Sequence, residues 1–220
     1  MLLWVLDPAG RDATILNQAL NGDITDLRTA TEVICSRTPS QLQIMKQTYR
    51  ARFGCYLEHD ITERTYGDHQ KILLAYLGLY RAGEKRVGTD ERAFIRIFTE
   101  SSRAHLVSIA NAYQHMYARS LEKTLKSETT GNFQFGLLTI LRCADTPAKY
   151  FAKVLHKAMK GLGTSNAALI RVAVTRTEVD MKYIKAEYHN KYKGSLAEAI
   201  HSETSGNYRT FLLSLVGRDR

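Results

Sequence analysis

Two glycines and a distant glutamate recur in this sequence at one fixed spacing. Gly161 and Gly163 stand close together where a helical pattern ends, and Glu203 follows Gly163 by forty residues. The same interval of forty residues separates Gly88 from Glu128. A loop of this kind has three interpretations: a turn between helices, a phosphate-binding loop, or a loop that offers carbonyl oxygens to a cation.

The chemistry of each interpretation can be compared with the residues present. A phosphate-binding loop needs Gly-x-x-x-x-Gly-Lys-Ser/Thr after a strand, and the sequence has neither feature at this point. A plain turn needs one glycine at the helix end rather than two alternating ones, but it stays open. Calcium takes about six to eight oxygens, of which loop carbonyls and one carboxylate would supply about five. Such a site predicts weak calcium binding that tightens when an external anion, such as a lipid phosphate, completes the shell.

The loop and the glutamate belong to a longer internal repeat. The stretch VGTDERAFIRIF from Val87 resembles LGTSNAALIRVA from Leu162, 75 residues later. The same shift carries YARSLEKTLKSETTGNF from Tyr117 onto YKGSLAEAIHSETSGNY from Tyr192. A less similar copy lies 64 residues before the middle one and begins at ITDLRTATEVICSRTPSQL. The pattern predicts a duplicated structural unit.

Within each copy the spacing of apolar residues is helical. Phe94, Ile97 and Phe98 recur at intervals of three and four, which predicts an amphipathic helix with one apolar face. Strand signals are absent from the sequence, so we expect an all-α fold with five helices in each unit.

Helix starts are predicted from capping residues. The three prolines each follow a good N-cap residue and mark expected helix starts: Pro8, Pro39 and Pro147. Two threonines have a capping-box partner three residues on, Thr38 with Gln41 and Thr177 with Asp180.

Composition restricts the class of protein. The chain of 220 residues is 44% hydrophobic, enough for a substantial core, and its formal charge of +9 favours anionic partners. Three cysteines without metal-ligand spacing indicate a reducing compartment. No apolar run is long enough to span a bilayer, and the opening MLLWVL is too short for a signal peptide. We therefore expect a soluble intracellular protein.

At this point the residues resemble a known family. MKGLGT with SETSG downstream resembles the paired motif of the annexins, and SETSGNYRTFLLSLVG and YFAKVL look most like plant annexins. The resemblance covers essentially the whole chain. It implies annexin-type repeats of five helices in a right-handed superhelix, with Ca²⁺ sites on the convex face. The implied activity is calcium-dependent binding to anionic phospholipid membranes.

The resemblance also implies the residues of each site. In the last repeat the carbonyls of Met159, Gly161 and Gly163 would bind calcium together with the carboxylate of Glu203. Leu162 stands at the tip of this loop, where family members contact the acyl boundary, and Lys160 would meet anionic headgroups.

The preceding repeat carries the variant loop GEKRVGT. There the implied ligands are the carbonyls of Gly83, Arg86 and Gly88 with the carboxylate of Glu128. Arg86 replaces the usual glycine, but only its carbonyl is needed, and its side chain would meet headgroups. Val87 occupies the tip of this loop.

The sequence departs from the family pattern near its beginning. Arg64 takes the position of Glu128 and Glu203, and Ile24 takes that of Gly88, so we expect no calcium site there. Residues 1–22 resemble only the end of a first repeat. The expected divisions are therefore a remnant over 1–22 and three repeats over 23–80, 81–158 and 159–220.

Other motifs have weaker interpretations. Ile95, Arg96 and Ile97 resemble a motif proposed for actin binding in plant annexins, although two core isoleucines around a solvated arginine explain the same pattern. Cys35 and Cys143 match cysteine positions of plant annexins, and we expect them to be small buried thiols. The seven histidines show no paired ligand spacing and no Ser/His/Asp arrangement, so we expect no enzyme activity.

The alternatives come from different classes of protein. The charge of +9 is compatible with a calcium-independent basic protein that binds nucleic acid or actin, but the basic residues are scattered and no specific nucleic acid is expected. A scaffold without a working calcium site is the third possibility. We expect a cytoplasmic annexin that binds membranes peripherally when calcium rises.

Overall fold

The computed structural model describes residues 2–77, 90–160 and 163–217. Every regular element in these ranges is a helix, which confirms the all-α fold. No helix in the described ranges is long and apolar enough to cross a membrane. The helices are α1 Leu2–Val5, α2 Pro8–Asn21, α3 Leu27–Ser36, α4 Pro39–Phe53, α5 Leu57–Arg64, α6 Gly67–Tyr76, α7 Asp90–Glu100, α8 Arg103–Tyr117, α9 Leu121–Glu128, α10 Gly131–Asp145, α11 Pro147–Met159, α12 Asn166–Arg176, α13 Met181–Tyr192, α14 Leu196–Glu203 and α15 Gly206–Val216.

The helices begin mostly where the capping residues predict. Helices α2, α4 and α11 start at Pro8, Pro39 and Pro147, because proline fixes a helical φ and lacks the N–H that the first turn leaves unpaired. Thr38 and Gln41 form the predicted capping box, with hydrogen bonds in both directions.

The predicted capping box at Thr177 is wrong. Thr177 is the C-cap of α12 and has helical backbone angles, and its hydroxyl donates to the carbonyl of Ala173. Asp180 accepts two hydrogen bonds from the guanidinium of Arg176, at 2.8 and 2.5 Å. This bidentate ion pair uses the carboxylate that the box would have needed.

The chain forms two compact units. One consists of Met1–Val5 with Thr146–Arg220, and the other is Leu6–Asp145. Three sets of helices repeat one pattern, and we name them the first copy (α2–α6), the second copy (α7–α10) and the last copy (α11–α15). The first and second copies lie in the larger unit and the last copy in the smaller one. The repeat boundaries expected at residues 23, 81 and 159 stay predictions.

The first and last copies pack in the same way. In the first copy α2 packs on α4 and buries Met45 and Tyr49 completely. In the last copy α11 packs on α13 and buries Ile184 and Tyr188, which hold the same positions. Burial of these apolar side chains contributes to the stability of each copy.

The second copy covers its corresponding helix less completely. Ile109 and Tyr113 of α8 match Met45 and Tyr49 in position, but both are only half-buried. The described residues of this copy contain no counterpart of α2 or α11. Leu106 is the only buried side chain of α8, and Ile109 and Tyr113 stay half-buried where their counterparts are buried.

Candidate cation-binding loop and its carboxylate

The described residues of the loop after α11 include one glycine in a left-handed conformation and the hydrogen bond that closes the loop. Helix α11 ends at Met159, and Lys160 after it is exposed. Gly161 and Leu162 lie outside the described residues. The N–H of Ser165 donates to the carbonyl of Ala158 at 2.8 Å and closes the loop. Gly163 has φ +101°, a left-handed conformation that a residue with a Cβ rarely adopts, which explains the glycine at this position.

Glu203 meets this loop from the other side of the repeat. It is the last residue of α14 and is exposed. The hydroxyl of Thr164 lies 3.3 Å from the Glu203 carboxylate oxygen Oε2 and 3.4 Å from its backbone carbonyl. Within the described ranges the Glu203 carboxylate forms no ion pair with lysine or arginine. The structure therefore brings together Gly163 and Glu203, forty residues apart, with the carboxylate accessible.

The turn after Glu203 is fixed by hydrogen bonds of its own. Buried Thr204 donates its hydroxyl to the carbonyl of Ile200 at 2.5 Å. Arg209 donates its Nε–H to the carbonyl of Thr204 at 2.6 Å. Gly206 starts α15 with φ +57°, which completes a tight turn. These contacts fix the turn that follows Glu203.

The same turn occurs in the other two copies, so it belongs to the repeat and not to one site. Gln70 donates its side-chain N–H to the carbonyl of Thr65 at 2.5 Å, and Gln134 donates to that of Thr129. Sequence reasoning missed these positioning residues together with Thr164 and Arg209. The repeated Thr-x-Gly after the acidic position was the signal, because its threonine is buried in all three copies.

Of the predicted ligands in the second copy, the structure describes only the carboxylate of Glu128. Glu128 is the exposed last residue of α9 and accepts a hydrogen bond from the hydroxyl of Ser127 at 3.2 Å. The predicted loop ligands and tip residue lie outside the described residues: Gly83, Arg86, Val87 and Gly88. This second site therefore stays a prediction.

The first copy keeps the loop but changes its chemistry. The N–H of Asp26 donates to the carbonyl of Ala19 at 2.8 Å, the same closing bond as in the last copy. Arg64 is the exposed last residue of α5 and stands where a cation site would need a carboxylate. Ile24 stands at the position of Gly163 and does not have a positive φ, so its backbone follows a different path. The cationic side chain and the altered backbone both disfavour a bound cation.

Aromatic side chains support the last turn of α11 beside the loop. The ring of His156 stacks on Tyr192 with centroids 3.6 Å apart, and its Nδ1 is 3.3 Å from the hydroxyl of Tyr188. Burial lowers the pKa of His156, and the positive charges of Lys160 and Lys191 lower it further. His156 is therefore neutral at physiological pH and adds no positive charge beside the loop.

The donor set of the last copy fits calcium. Carbonyl oxygens and one carboxylate are hard ligands of the kind that Ca²⁺ prefers, and the Glu203 side chain is exposed. A Cβ added at Gly163 would have no heavy atom within 4 Å, so the space beside the loop is open. Across the described ranges, no three His, Cys, Asp or Glu side chains form a cluster of metal-binding type.

The remaining predicted motifs are folded into helices. Ile95 is buried, Ile97 is half-buried and Arg96 is exposed, so the two isoleucines serve the core. Actin binding through this tripeptide stays a prediction. Cys35 and Cys143 are buried cysteines outside any disulfide, as expected, and burial raises the pKa of Cys35 far above its ordinary value.

Comparison with known proteins agrees with the repeat. A family model described as Annexin matches residues 11–76, 78–140 and 150–215. The chain is 45% identical to Annexin D5 of Arabidopsis thaliana over 237 aligned positions, covering 99% of this chain and 75% of that protein.

Solved structures show the same fold. The structure of annexin A8 superposes with a TM-score of 0.91 at 35% identity, covering 98% of this chain and 74% of that one. The structure of calcium-bound annexin (Sm)1 superposes with a TM-score of 0.85 at 25% identity, covering 97% and 71% of the two chains. The three matched repeats and the identity to relatives over almost the whole chain show that this protein belongs to the annexin family.

Proposed function

We propose that this protein binds anionic phospholipid membranes in a calcium-dependent manner through the loop of its last copy. The observation that carries the proposal is the contact between Thr164 and Glu203, which sets an exposed carboxylate beside the carbonyl-rich loop. The left-handed backbone of Gly163 supports the same conclusion, because it is the conformation that lets successive carbonyls converge. The related annexin (Sm)1 is calcium-bound, which supports Ca²⁺ as the ion.

The residues of this chain have separate tasks in that function. The carbonyls of Met159, Gly161 and Gly163 and the carboxylate of Glu203 would hold the ion. Bound calcium supplies a positive charge with open coordination positions, to which a lipid phosphate oxygen can bind. Thr164 orients the Glu203 carboxylate by its hydrogen bond. Because only one carboxylate is present, binding of the ion and of the lipid is expected to be mutually dependent.

Residues around the loop add contacts with the membrane. Leu162 at the tip would enter the acyl boundary, and Lys160 would attract anionic headgroups, each basic residue being worth about 1 kcal/mol near such a surface. Lys160 is exposed, as this task requires. The second copy would contribute a weaker loop in which Glu128 is the exposed carboxylate. Its other ligands would be the carbonyls of Gly83, Arg86 and Gly88, with Val87 at the tip and the Arg86 side chain at headgroups.

In this function the protein is a peripheral membrane protein of the cytoplasm and not an enzyme. The net charge of +9 strengthens attraction to an anionic membrane surface but does not replace calcium. Calcium dependence is what separates this function from simple basic attraction, because a charge effect weakens with salt but does not need a divalent ion.

Co-sedimentation with vesicles of phosphatidylserine and phosphatidylcholine tests the proposal. The protein should sediment with vesicles in calcium and stay in the supernatant in chelator. Glu203→Gln should raise the calcium concentration for half-maximal binding by roughly tenfold or more, because it removes the only carboxylate of the better loop and the avidity of two loops. Glu128→Gln should have a smaller effect.

Two matched variants control for charge. Glu63→Gln removes a carboxylate from the last turn of α5, next to Arg64, and leaves both predicted ligand loops unchanged. Arg64→Gln changes the residue that stands in the first copy where the last copy has Glu203. Both side chains are exposed, and neither change should alter the calcium requirement. Equal sedimentation in chelator and in calcium would refute the proposal and leave basic attraction as the explanation.

A further inference from the structure

A basic groove lies at the other end of the last copy from the calcium loop. Its volume is about 960 Å³, and it is formed by α13, the start of α14 and the end of α15. One stripe along α13 and its C-cap gives it four basic side chains: Lys182, Lys185, His189 and Lys193. Glu198 is the one acidic side chain among the described lining residues, and its carboxylate accepts a hydrogen bond from the N–H of Ser195. We propose that this groove binds a short, extended acidic peptide segment of a partner protein.

The repeated fold does not require this basic stripe. Helices α4 and α8 hold the same positions in the other copies but differ in charge. The first copy has Gln43, Lys46, Arg50 and Gly54, and the second has Val107, Ala110, Gln114 and Ala118. Because all three helices fold into the same place in the repeat, the additional charge of the last copy needs an explanation other than folding.

One lysine of the stripe has a structural task that two copies share. Lys46 donates to the carbonyl of Leu77 at 3.1 Å, and Lys185 donates to that of Gly217 at 3.1 Å, so each caps the end of its neighbouring helix. In the first copy Glu58 also pairs with Lys46 at 2.7 Å and neutralises it. The last copy has Ala197 at the position of Glu58. The last copy therefore has no carboxylate at that sequence position.

Lys193 occupies a position that favours glycine. Its φ is +61°, and the same position is Gly54 in the first copy, with φ 73°. A side chain in this left-handed conformation costs about 1 kcal/mol relative to glycine. Lys193 is exposed and, like exposed Lys182, forms no ion pair with a carboxylate in the described ranges. A lysine is thus present at the groove end although the local backbone disfavours it.

The spacing of the charges selects the shape of the ligand. Lys182 and Lys193 are eleven residues apart along α13 and its C-cap, which corresponds to about 16 Å. A single phosphate group is too small to contact both ends of such a stripe. An extended peptide advances about 3.3 Å per residue, so about five residues would span it. Carboxylates on alternate residues of such a segment can meet successive basic side chains.

The location leaves both ends of the copy accessible at once. Helix α14 runs from Leu196 at the groove to Glu203 at the calcium loop, and α15 returns from Gly206 to Val216 at the groove. At 1.5 Å per residue these helices separate the two places by about 12 to 16 Å. A partner in the groove would therefore not compete with a membrane at the loop, and peptide binding needs no calcium.

Fluorescence anisotropy with a dye-labelled octapeptide of alternating glutamate and serine tests the proposal. The measurement is made in chelator and at low salt, with the glutamine version of the peptide for comparison. Wild type should bind the glutamate peptide and not the glutamine one. Lys182→Gln with Lys193→Gly should weaken binding about tenfold, equivalent to ~1.4 kcal/mol.

A second double variant with the same net charge separates the groove from general attraction. Lys123→Gln with Lys191→Gln removes two exposed lysines that do not line the groove, and it should weaken binding less than about twofold. Equal weakening by both double variants would overturn the proposal. So would a dye-labelled DNA duplex that binds wild type as tightly as the peptide and is equally weakened by the groove variant. Lys193→Gly relieves backbone strain, so lost binding by that variant would not reflect unfolding.

Discussion

The first and last copies of the repeat share a loop backbone bond but differ in the chemistry around it. In both, the chain after the first helix is closed by one N–H···O bond of 2.8 Å, from Asp26 to Ala19 and from Ser165 to Ala158. Across this loop the last copy has Glu203, and the first has Arg64. The closing bond is therefore a property of the repeat, whereas the side chain opposite it and the backbone at the position of Gly163 differ between the two copies.

The second copy extends this comparison to packing. Its helix α8 follows the same positions as α4 and α13, yet the described residues provide no helix corresponding to α2 or α11 to cover it. Met116 and Tyr117 at its end are 68% and 63% exposed. The repeat therefore keeps α8 as a helix although its apolar face is only partly covered. Buried Leu106 still packs this helix against the core.

The largest expected effect compares the same packing position in two copies. Ile184→Ala should lower the free energy of unfolding by roughly 2 to 5 kcal/mol, because Ile184 is fully buried and the change leaves a cavity. Ile109→Ala should cost only about 1 kcal/mol, because a half-buried side chain loses less apolar contact and leaves no closed cavity.

Urea denaturation measures both variants. Fluorescence of Trp4, the single tryptophan, reports on the unit that contains Ile184, and circular dichroism reports on the whole chain. Leu106→Ala is the control, since Leu106 is buried in α8 and should be as costly as other core positions. Equal losses for Ile109 and Ile184 would show that α8 is covered as well as α13.

A second prediction concerns a buried histidine of the first copy. His69 is hydrogen-bonded to the hydroxyl of Thr31 at 2.8 Å, and burial lowers its pKa to about 4. The folded protein keeps this ring neutral, whereas the unfolded chain takes up a proton below about pH 6.5. Its contribution to stability is therefore fully present above about pH 6.5 and is lost as the pH falls towards 4, by roughly 1 to 2 kcal/mol at pH 5.

The second copy supplies the matched substitution. Phe133 holds the position of His69, so His69→Phe should fit the repeat while removing the titrating group. Thr31 keeps its hydrogen bond to the carbonyl of Leu27. The measurement is the free energy of unfolding at pH 7 and pH 5 for both proteins. A loss of stability on acidification that is the same in both would contradict the assigned role of His69.

The smallest expected effect is a gain of function in the first copy. Arg64→Glu combined with Ile24→Gly should lower the calcium concentration for half-maximal vesicle binding by about two- to threefold, because a third weak loop adds avidity. Arg64→Glu alone should change little, since Ile24 does not have the positive φ of Gly163. Both side chains are exposed, so the fold should be retained. If Arg64→Glu alone lowered the calcium concentration as much as the double change, the backbone at Ile24 would not limit calcium binding.

Much of the fold follows from local sequence. Helix starts at Pro8, Pro39 and Pro147 are predicted correctly because an N-cap and a proline act within one turn. The capping box predicted at Thr177 is wrong for an equally local reason. The guanidinium of Arg176 forms a bidentate ion pair with the Asp180 carboxylate that the box would have needed. Capping patterns are therefore reliable only where no stronger partner lies one turn away.

The candidate site was predicted in part. The glycines and glutamates were found because they recur forty residues apart, and the structure places Glu203 beside Thr164 of the loop. The residues that fix this arrangement, Thr164, Thr204 and Arg209, were missed. The contact of Thr164 with Glu203 depends on how two turns far apart in sequence meet in space, which no local pattern encodes. The hydrogen bonds of Thr204 and Arg209 are local, and the repeated Thr-x-Gly was their signal.

The sequence by itself determined the helices, the repeat and the residue types that face the loop, because periodicity, capping and spacing are short-range properties of the chain. Only the tertiary structure decided what those residues meet. It brought Glu203 to the loop, gathered Lys182 and Lys193 around one groove, and left Ile109 half-covered while burying Ile184. The physical reason is that burial and charge proximity depend on contacts between segments far apart in sequence, and identical repeat patterns can receive different neighbours.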